Sequence, residues 1–337
     1  MKIVHRCDGG VHIGLGHLIR NMTLACELKT RGHQISFVTR RLDGTAEQRL
    51  TESAFPAITL PDHATASEQL NAMKGNDFYV IDSYEADELF FRSARKNAKV
   101  LAFVDYELPF KMDVDVLLIP HIGTEKLSFR IPEDALQLRG PDYLLLRQEF
   151  RNLPERMIRE NPADVLVTFG GADVQNMTRR VAEALAGFET ITVHFVLGNS
   201  YSMQWEEELH VIASAARYKS HFYRNKHSLI DLMVQSDLAI APPSTTSYEL
   251  CATGTPMLAI ITGEDQKICA SGLQSREAIE LLGWHADVSQ DQIRAATFRL
   301  ISDTGRRKEL STAARKITDG RGAVRIADTI ESLVTAL

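Results

Sequence analysis

Short apolar, β-branched runs recur along the first half of the chain, each closed by polar or turn-forming residues and followed by residues at helical spacing. The runs KIVHR (2–6), QISFVT (34–39), AITL (57–60), DFYVID (77–82), VLAFVD (100–105), DVLLIP (115–120) and YLLLR (143–147) predict strands. Between the first two, LIRNMTLACELKTRG places Leu18, Met22, Ala25 and Leu28 on one helix face and ends at Gly32, suited to a left-handed C-cap. Strands that are apolar on both faces and joined by helices predict a parallel α/β sheet.

The segment RNLPERMIRENPAD (151–164) is charged and holds two prolines, so it predicts a division into domains 1–152 and 153–337. The pattern then restarts with DVLVTFGG (164–171), ITVHFVLG (191–198), SHFYR, DLAIAP (237–242) and TPMLAIIT (255–262), with helices between them. Beyond about residue 289 the spacing is helical throughout, and the last helices can pack back on the first domain.

A chain of 337 residues exceeds one ordinary hydrophobic core. With 44% hydrophobic and 24% charged residues, the composition is that of a soluble globular protein. The net charge is −6 and the basic residues are scattered, apart from pairs such as Arg40-Arg41 and Arg179-Arg180, which argues against a nucleic-acid partner. FRSARKNAK (91–99) is a local basic cluster that reads as a solvated helix face. Cys7, Cys26, Cys251 and Cys269 form no CxxC pair, so neither zinc nor disulfides are expected and a reducing cytoplasm is. No apolar run approaches the roughly 20 residues of a membrane span, so no stable membrane association is expected.

Both halves open with a strand, a glycine-bearing turn and a helix: VHRCDGGVHIGLGHLIR and VLVTFGGADVQNMTRR. Free N–H groups and the dipole at helix starts favour anions, so two such domains facing across a cleft at their strands' C-terminal ends suit a phosphorylated ligand. The dinucleotide fingerprint is incomplete at Gly14-Leu15-Gly16. Its third glycine is replaced by Ile19, and Arg40-Arg41 stand where an acid should follow the next strand.

His17 follows Gly16 in the first turn of its helix, where the dipole disfavours imidazolium and leaves the ring neutral, the state a general base needs. Packing or capping would also place a histidine there. In the second half, Gly170-Gly171-Ala172-Asp173 lets backbone approach a phosphate, although a Gly-Gly turn also serves simply to reverse the chain. Ser244, Thr245 and Thr246 follow Pro242-Pro243 at a helix start, with Glu249 one turn in. A carboxylate there can accept both hydroxyls of a ribose. A surface charge favoured near a helix N-terminus would sit at the same position.

The joint occurrence of IGLGHLIR, FGGADVQN, STTSYELCATGTPMLAI and Asp265-Gln266 resembles the glycosyltransferase-B architecture. More narrowly it resembles the UDP-sugar hydrolases of pseudaminic acid biosynthesis, from residue 1 to about 285 and including GPDYLLLRQEF (140–150). The resemblance implies two Rossmann-like domains and a hydrolysis with neither metal nor cofactor, in which His17 activates water at the anomeric carbon and UDP leaves. It implies nucleotide contacts from Gly170, Gly171, Ala172, Asp173, Ser244, Thr245, Thr246, Glu249 and Gln266. It also implies sugar contacts from Arg6, Asp8, Gly14, Gly16 and Tyr84.

The chain differs from the family at Ser83 within Asp82-Ser83-Tyr84, at Asp105-Tyr106 and at Pro120-His121, all on the side expected to face the sugar. A glycosyltransferase passing an amino sugar from UDP to an acceptor, and a non-catalytic nucleotide-sugar binding protein, are the alternatives. A monomer or weak dimer is expected.

Overall fold

In the computed structural model of the chain, which describes all residues except 11–14, 41, 43, 225, 227, 336 and 337, the apolar runs form two all-parallel sheets. Two compact units result: Met1–Gln148 with Gly320–Leu337, and Glu149–Asp319. The division falls at 148/149, a few residues before the charged 151–164 segment.

The first unit's strands are β1 (Lys2–Cys7), β2 (Gln34–Thr39), β3 (Ala57–Thr59), β4 (Phe78–Asp82), β5 (Lys99–Phe103), β6 (Val116–Ile119) and β7 (Leu136–Arg139). They lie in the order β3-β2-β1-β4-β5-β6-β7. Its helices include α1 (Gly16–Thr30), α2 (Gly44–Glu52), α3 (Ala66–Met73) and α4 (Glu88–Arg95). The chain leaves β1 on one side through β2 and β3, then returns to β1's other side with β4. The reversal between β1 and β4 is a topological switch point, and ligands of such sheets bind beside the strands' C-terminal ends there.

The second unit repeats this plan with β8 (Asp164–Thr168), β9 (Thr192–Leu197), β10 (Lys219–Arg224), β11 (Leu238–Ala241), β12 (Met257–Ile261) and β13 (Glu280–Trp284). Their order is β10-β9-β8-β11-β12-β13, so the reversal lies between β8 and β11. The unit's helices are α5 (Met177–Leu185), α6 (Met203–Ala215), α7 (Ile230–Gln235), α8 (Thr245–Thr253), α9 (Lys267–Gln274), α10 (Gln290–Ser302) and α11 (Thr304–Arg315). The terminal helix α12 (Gly322–Thr335) belongs to the first unit.

Strand parity sorts the first unit's core into two layers. Ile3, Phe78, Val80, Leu101 and Phe103 pack with Leu18, Leu24 and Leu28 of α1 and with Ala323, Ile326 and Ile330 of α12. Val4, Tyr79, Ile81 and Ala102 face the opposite layer with Phe90, Phe91 and Ala94 of α4. The same alternation turns His5 and Asp82 toward α1. Fully buried side chains of this size each contribute about 1.5–3 kcal/mol. The close seat of α12 depends on Gly322, where a Cβ would lie 2.2 Å from the Leu144 carbonyl oxygen.

One expected strand is absent, and two edge strands appear that the apolar runs did not predict. YLLLR (143–147) is not a strand: Leu144, Leu145 and Leu146 are buried in irregular chain that follows the Gly140-Pro141 turn. Gly140 has φ 86° and Pro141 lacks an N–H, so the chain turns away from the sheet before the apolar run begins. The sheet edge is instead β7, LQLR, whose first two residues are exposed. β13 is likewise an edge strand with no fully buried residue, which is why neither edge shows an apolar run in the sequence.

Candidate functional site

At the first unit's switch point, α1 starts close after β1, and β4 ends in the carboxylate of Asp82. Asp82 is 1% exposed, and its Oδ1 lies 2.6 Å from His17 Nδ1. Burial raises the Asp82 carboxyl, but the Arg20 charge and the hydrogen bonds from Arg20 and His17 outweigh it and hold the group below its ordinary range. An ionised carboxylate only accepts, so His17 Nδ1 carries the proton and donates. Arg20 Nη2 stands 3.0 Å from the same Nδ1, and since both are donors, Asp82 is the acceptor for both. Nε2 of His17 is then the basic nitrogen.

Asn21, one residue beyond Arg20 on α1, fixes Asp82 from the other side. Its Nδ2 donates to Asp82 Oδ2 at 2.7 Å and to the His17 carbonyl at 2.9 Å. Both amide hydrogens are thereby used, so Asn21 Oδ1 accepts from His5 Nδ1 at 2.9 Å. His5 is fully buried, and burial lowers its pKa to about 4 against the smaller opposing effects of Asn21 and Asp82. It is a neutral strut, stacked on Phe37 at 5.1 Å between ring centroids.

Arg20 links this group to the next strand. Its Nε donates to Asp82 Oδ2 at 2.6 Å and its Nη1 to Asp105 Oδ1 at 2.9 Å, while its guanidinium carbon lies 3.4 Å from the centre of the Phe103 ring. Asp105 also contacts His121 Nε2 at 2.9 Å and accepts from the Tyr84 hydroxyl at 3.3 Å. Burial would raise the Asp105 carboxyl; Arg20 and His121 drive it far below its usual range instead. The Tyr84 ring meets the His17 ring edge-on at 4.6 Å and stacks on Tyr106 at 5.7 Å.

The other first-unit expectations fare differently. Arg6 and Asp8 are buried together: Arg6 Nη1 and Nη2 donate to the two Asp8 oxygens at 2.7 and 2.9 Å, and Arg6 Nε donates to Gln69 at 2.8 Å. Asp8 also accepts from the Arg40 backbone at 2.8 Å. With 0% exposure, Arg6 braces Asp8 and the turn after β1. Gly16 is the exposed first residue of α1, and Gly14 lies outside the described residues.

In the second unit the nucleotide-side segments follow adjacent strands. Gly170, at φ 78°, and Gly171 follow β8, Ser244 to Thr246 follow β11, and Gln266 follows β12. The glycine turn is pressed against the end of β9, where a Cβ on Gly198 would lie 2.2 Å from the Gly171 carbonyl oxygen. Ala172 is exposed beside it.

Asp173 is buried, and its carboxylate accepts from the Met177 and Thr178 backbone N–H groups at 2.9 and 2.8 Å. It therefore caps α5, and the anion that this helix start attracts is the chain's own side chain. At α8, by contrast, Ser244 makes no side-chain cap hydrogen bond. Glu249 is half-buried one turn into α8. Gln266 folds back on Thr262, its Oε1 accepting from the Thr262 N–H at 2.9 Å and its Nε2 donating to the hydroxyl at 3.1 Å.

Sequence reasoning placed Asp82 and Asp105 on the expected sugar side without giving either a role, and missed Arg20 and Asn21. Their signals were present: an aspartate closing or following each apolar strand DFYVID and VLAFVD, and polar residues three and four positions after His17 on one helix face. Among the described residues, no group of three or more His, Cys, Asp or Glu side chains is placed to hold a metal ion, and no helix is long and apolar enough to cross a membrane.

No protein-family model matches the chain. The chain is 30% identical over 283 residues to an uncharacterized protein of Methanocaldococcus jannaschii, an alignment that covers 80% of this chain but only 57% of that relative. It is 24% identical to the spore coat polysaccharide biosynthesis protein SpsG of Bacillus subtilis, over 97% of this chain and 96% of SpsG. It is 25% identical to the UDP-2,4-diacetamido-2,4,6-trideoxy-beta-L-altropyranose hydrolase of Campylobacter jejuni, over 57% of this chain and 69% of that enzyme. Among solved structures, Acinetobacter baumannii MurG superposes with a TM-score of 0.73 at 14% identity, over 98% of this chain and 99% of MurG.

Proposed function

We propose that this chain, which has the glycosyltransferase-B fold, hydrolyses a UDP-linked acetamido deoxy sugar at its anomeric C–O bond. The observation that carries the proposal is the His17–Asp82 pair at the first unit's switch point. Water gives its proton to His17 Nε2 as its oxygen bonds to the anomeric carbon. The anomeric C–O bond breaks, and its electron pair leaves with the diphosphate of UDP. Asp82 holds the imidazole in the needed tautomer and stabilises the imidazolium that forms.

The nucleotide contacts are assigned to the second unit. Backbone N–H groups at the Gly170-Gly171 turn and at the start of α8 suit a diphosphate, because α8 has no side-chain cap of its own. Glu249 is assigned to the ribose hydroxyls. The hydrolase from Campylobacter jejuni, whose name carries both UDP and a diacetamido sugar, supports the substrate class.

The relationship to SpsG, which extends over nearly the whole chain, favours a second reading as a transferase in polysaccharide synthesis. An incubation with a panel of UDP-linked acetamido sugars, with and without added acceptor glycans, separates the two. Free sugar and UDP in equal amounts without acceptor support hydrolysis; UDP release that requires an acceptor supports transfer.

A further inference from the structure

Behind the His17–Asp82 pair lies a polar contact that the proposed chemistry does not use. His5 stands inside the first unit's sheet, in register with Phe37 of β2 and Val80 of β4. It is fully buried, and its Nε2 has no hydrogen-bond partner among the described residues. Ile3 and Val4 before it are ordinary apolar core residues. An apolar side chain would fill this place without leaving a ring nitrogen unpaired, so the imidazole calls for a reason beyond packing.

That reason lies in Asn21. Its amide faces two oxygens, Asp82 Oδ2 at 2.7 Å and the His17 carbonyl at 2.9 Å, so its nitrogen points to them and its oxygen to His5 Nδ1 at 2.9 Å. Turned over, the amide would set its own oxygen against both acceptors. A donor at His5 Nδ1 opposes that rotation, and each hydrogen bond along His5–Asn21–Asp82–His17 then has one direction. We propose that His5 and Asn21 are positioning residues for the base: His5 fixes the Asn21 amide, Asn21 fixes the Asp82 carboxylate, and the carboxylate keeps His17 in its Nδ1–H tautomer. The proposal deepens the hydrolytic reading and rests on it for the role of His17. Arg20 still holds Asp82 when the relay is cut, so the base is loosened rather than lost. A small misplacement of a catalytic group costs about tenfold to a hundredfold in rate.

The test compares His5→Leu with His5→Asn in the full-length chain. Leucine fills the site and removes the donor. The asparagine amide nitrogen is bonded to Cγ as Nδ1 is, so it restores the donor but forfeits the ring stacked on Phe37. Urea unfolding should rank the leucine variant as the more stable. Turnover of UDP-2,4-diacetamido-2,4,6-trideoxy-beta-L-altropyranose should rank them the other way. Expected kcat is about tenfold to a hundredfold below the wild type for His5→Leu and within about threefold for His5→Asn, with UDP affinity alike in all three proteins. Long-range ¹H–¹⁵N spectra of histidine-labelled protein, at about two pH units above the ordinary histidine value, should show His5 and His17 of the wild type both protonated at Nδ1. In His5→Leu the His17 signals should move toward a mixture of tautomers. Turnover that follows stability across the two variants, or a wild-type His5 protonated at Nε2, would overturn the proposal. If neither variant folds, the wild-type spectra decide. A wild type that binds UDP but releases no sugar would overturn the hydrolytic reading, and with it the catalytic purpose of the relay, whatever tautomers the spectra show.

Discussion

His17 Nδ1 lies 2.6 Å from the carboxylate of Asp82, across 65 positions of sequence. The contact joins the start of α1 to the end of β4, the two elements that flank the reversal of strand order. It makes the histidine more than a residue at a helix start: Nδ1 is committed as a donor to a buried anion, which leaves Nε2 without the proton.

Asp82→Asn keeps the shape of that contact and removes its charge, so the imidazole is free to adopt the wrong tautomer. Turnover should fall on the order of a thousandfold or more while UDP affinity stays within about threefold. Steady-state kinetics beside calorimetry check this. Activity within a few-fold of the wild type would remove Asp82 from the mechanism.

Arg20 neutralises two neighbouring carboxylates, so Arg20→Met should destabilise the fold by about 3–5 kcal/mol at pH 7. The folded-state values of Asp82 and Asp105 both lie below their ordinary range. Their stabilisation is therefore complete above the unfolded carboxyl value of about 3.9 and is lost as pH falls below it. In the variant the same carboxylates are buried without their cation, so the deficit should shrink as pH falls toward 4. Urea unfolding at pH 7 and pH 4 measures the difference; an equal deficit at both would contradict the assignment.

His5 has the sign of a buried neutral base. Its folded value of about 4 lies below the unfolded value of about 6.5, so its stabilisation is present above 6.5 and lost as pH falls toward 4. Between pH 7.5 and pH 5 this one group should cost the wild type about 2 kcal/mol. His5→Gln removes that titration. A pH dependence of unfolding that is the same in both proteins would show that His5 is not held neutral.

Glu249→Ala should weaken UDP binding by about 1–3 kcal/mol, the loss expected for hydrogen bonds to a charged acceptor. Calorimetry with UDP and with uridine reads this directly. Unchanged affinity for both would take the ribose contact away from Glu249.

The central strands were legible because strands covered on both faces need continuous apolar runs; their order in each sheet was not, since the runs do not say which strands pair. The edges β7 and β13 were not legible, since LQLR and ELLGW are largely exposed or half-buried and interrupted by polar residues or glycine, whereas the opposite edges β3 and β10 were expected from AITL and SHFYR. His17 was legible from its own neighbours, Gly16 before it and a helix after it. Asp82 was not, because nothing in DFYVID says which helix its last residue will meet.

Asp173 and Arg6 show what spacing leaves out. The family resemblance implied a ligand contact for each; in the structure Asp173 completes a helix start and Arg6 is buried against Asp8. In both cases the chain's own polar groups satisfy each other, a matter of three-dimensional hydrogen-bond accounting that spacing does not encode.

The most direct measurement is turnover of a UDP-linked acetamido deoxy sugar in H₂¹⁸O by the wild type and by His17→Leu, with mass spectrometry of both products. Water attack at the anomeric carbon with His17 as base predicts ¹⁸O in the free sugar, none in UDP, and no product from the variant, which still binds UDP. Label in UDP, or undiminished turnover by His17→Leu, would contradict it.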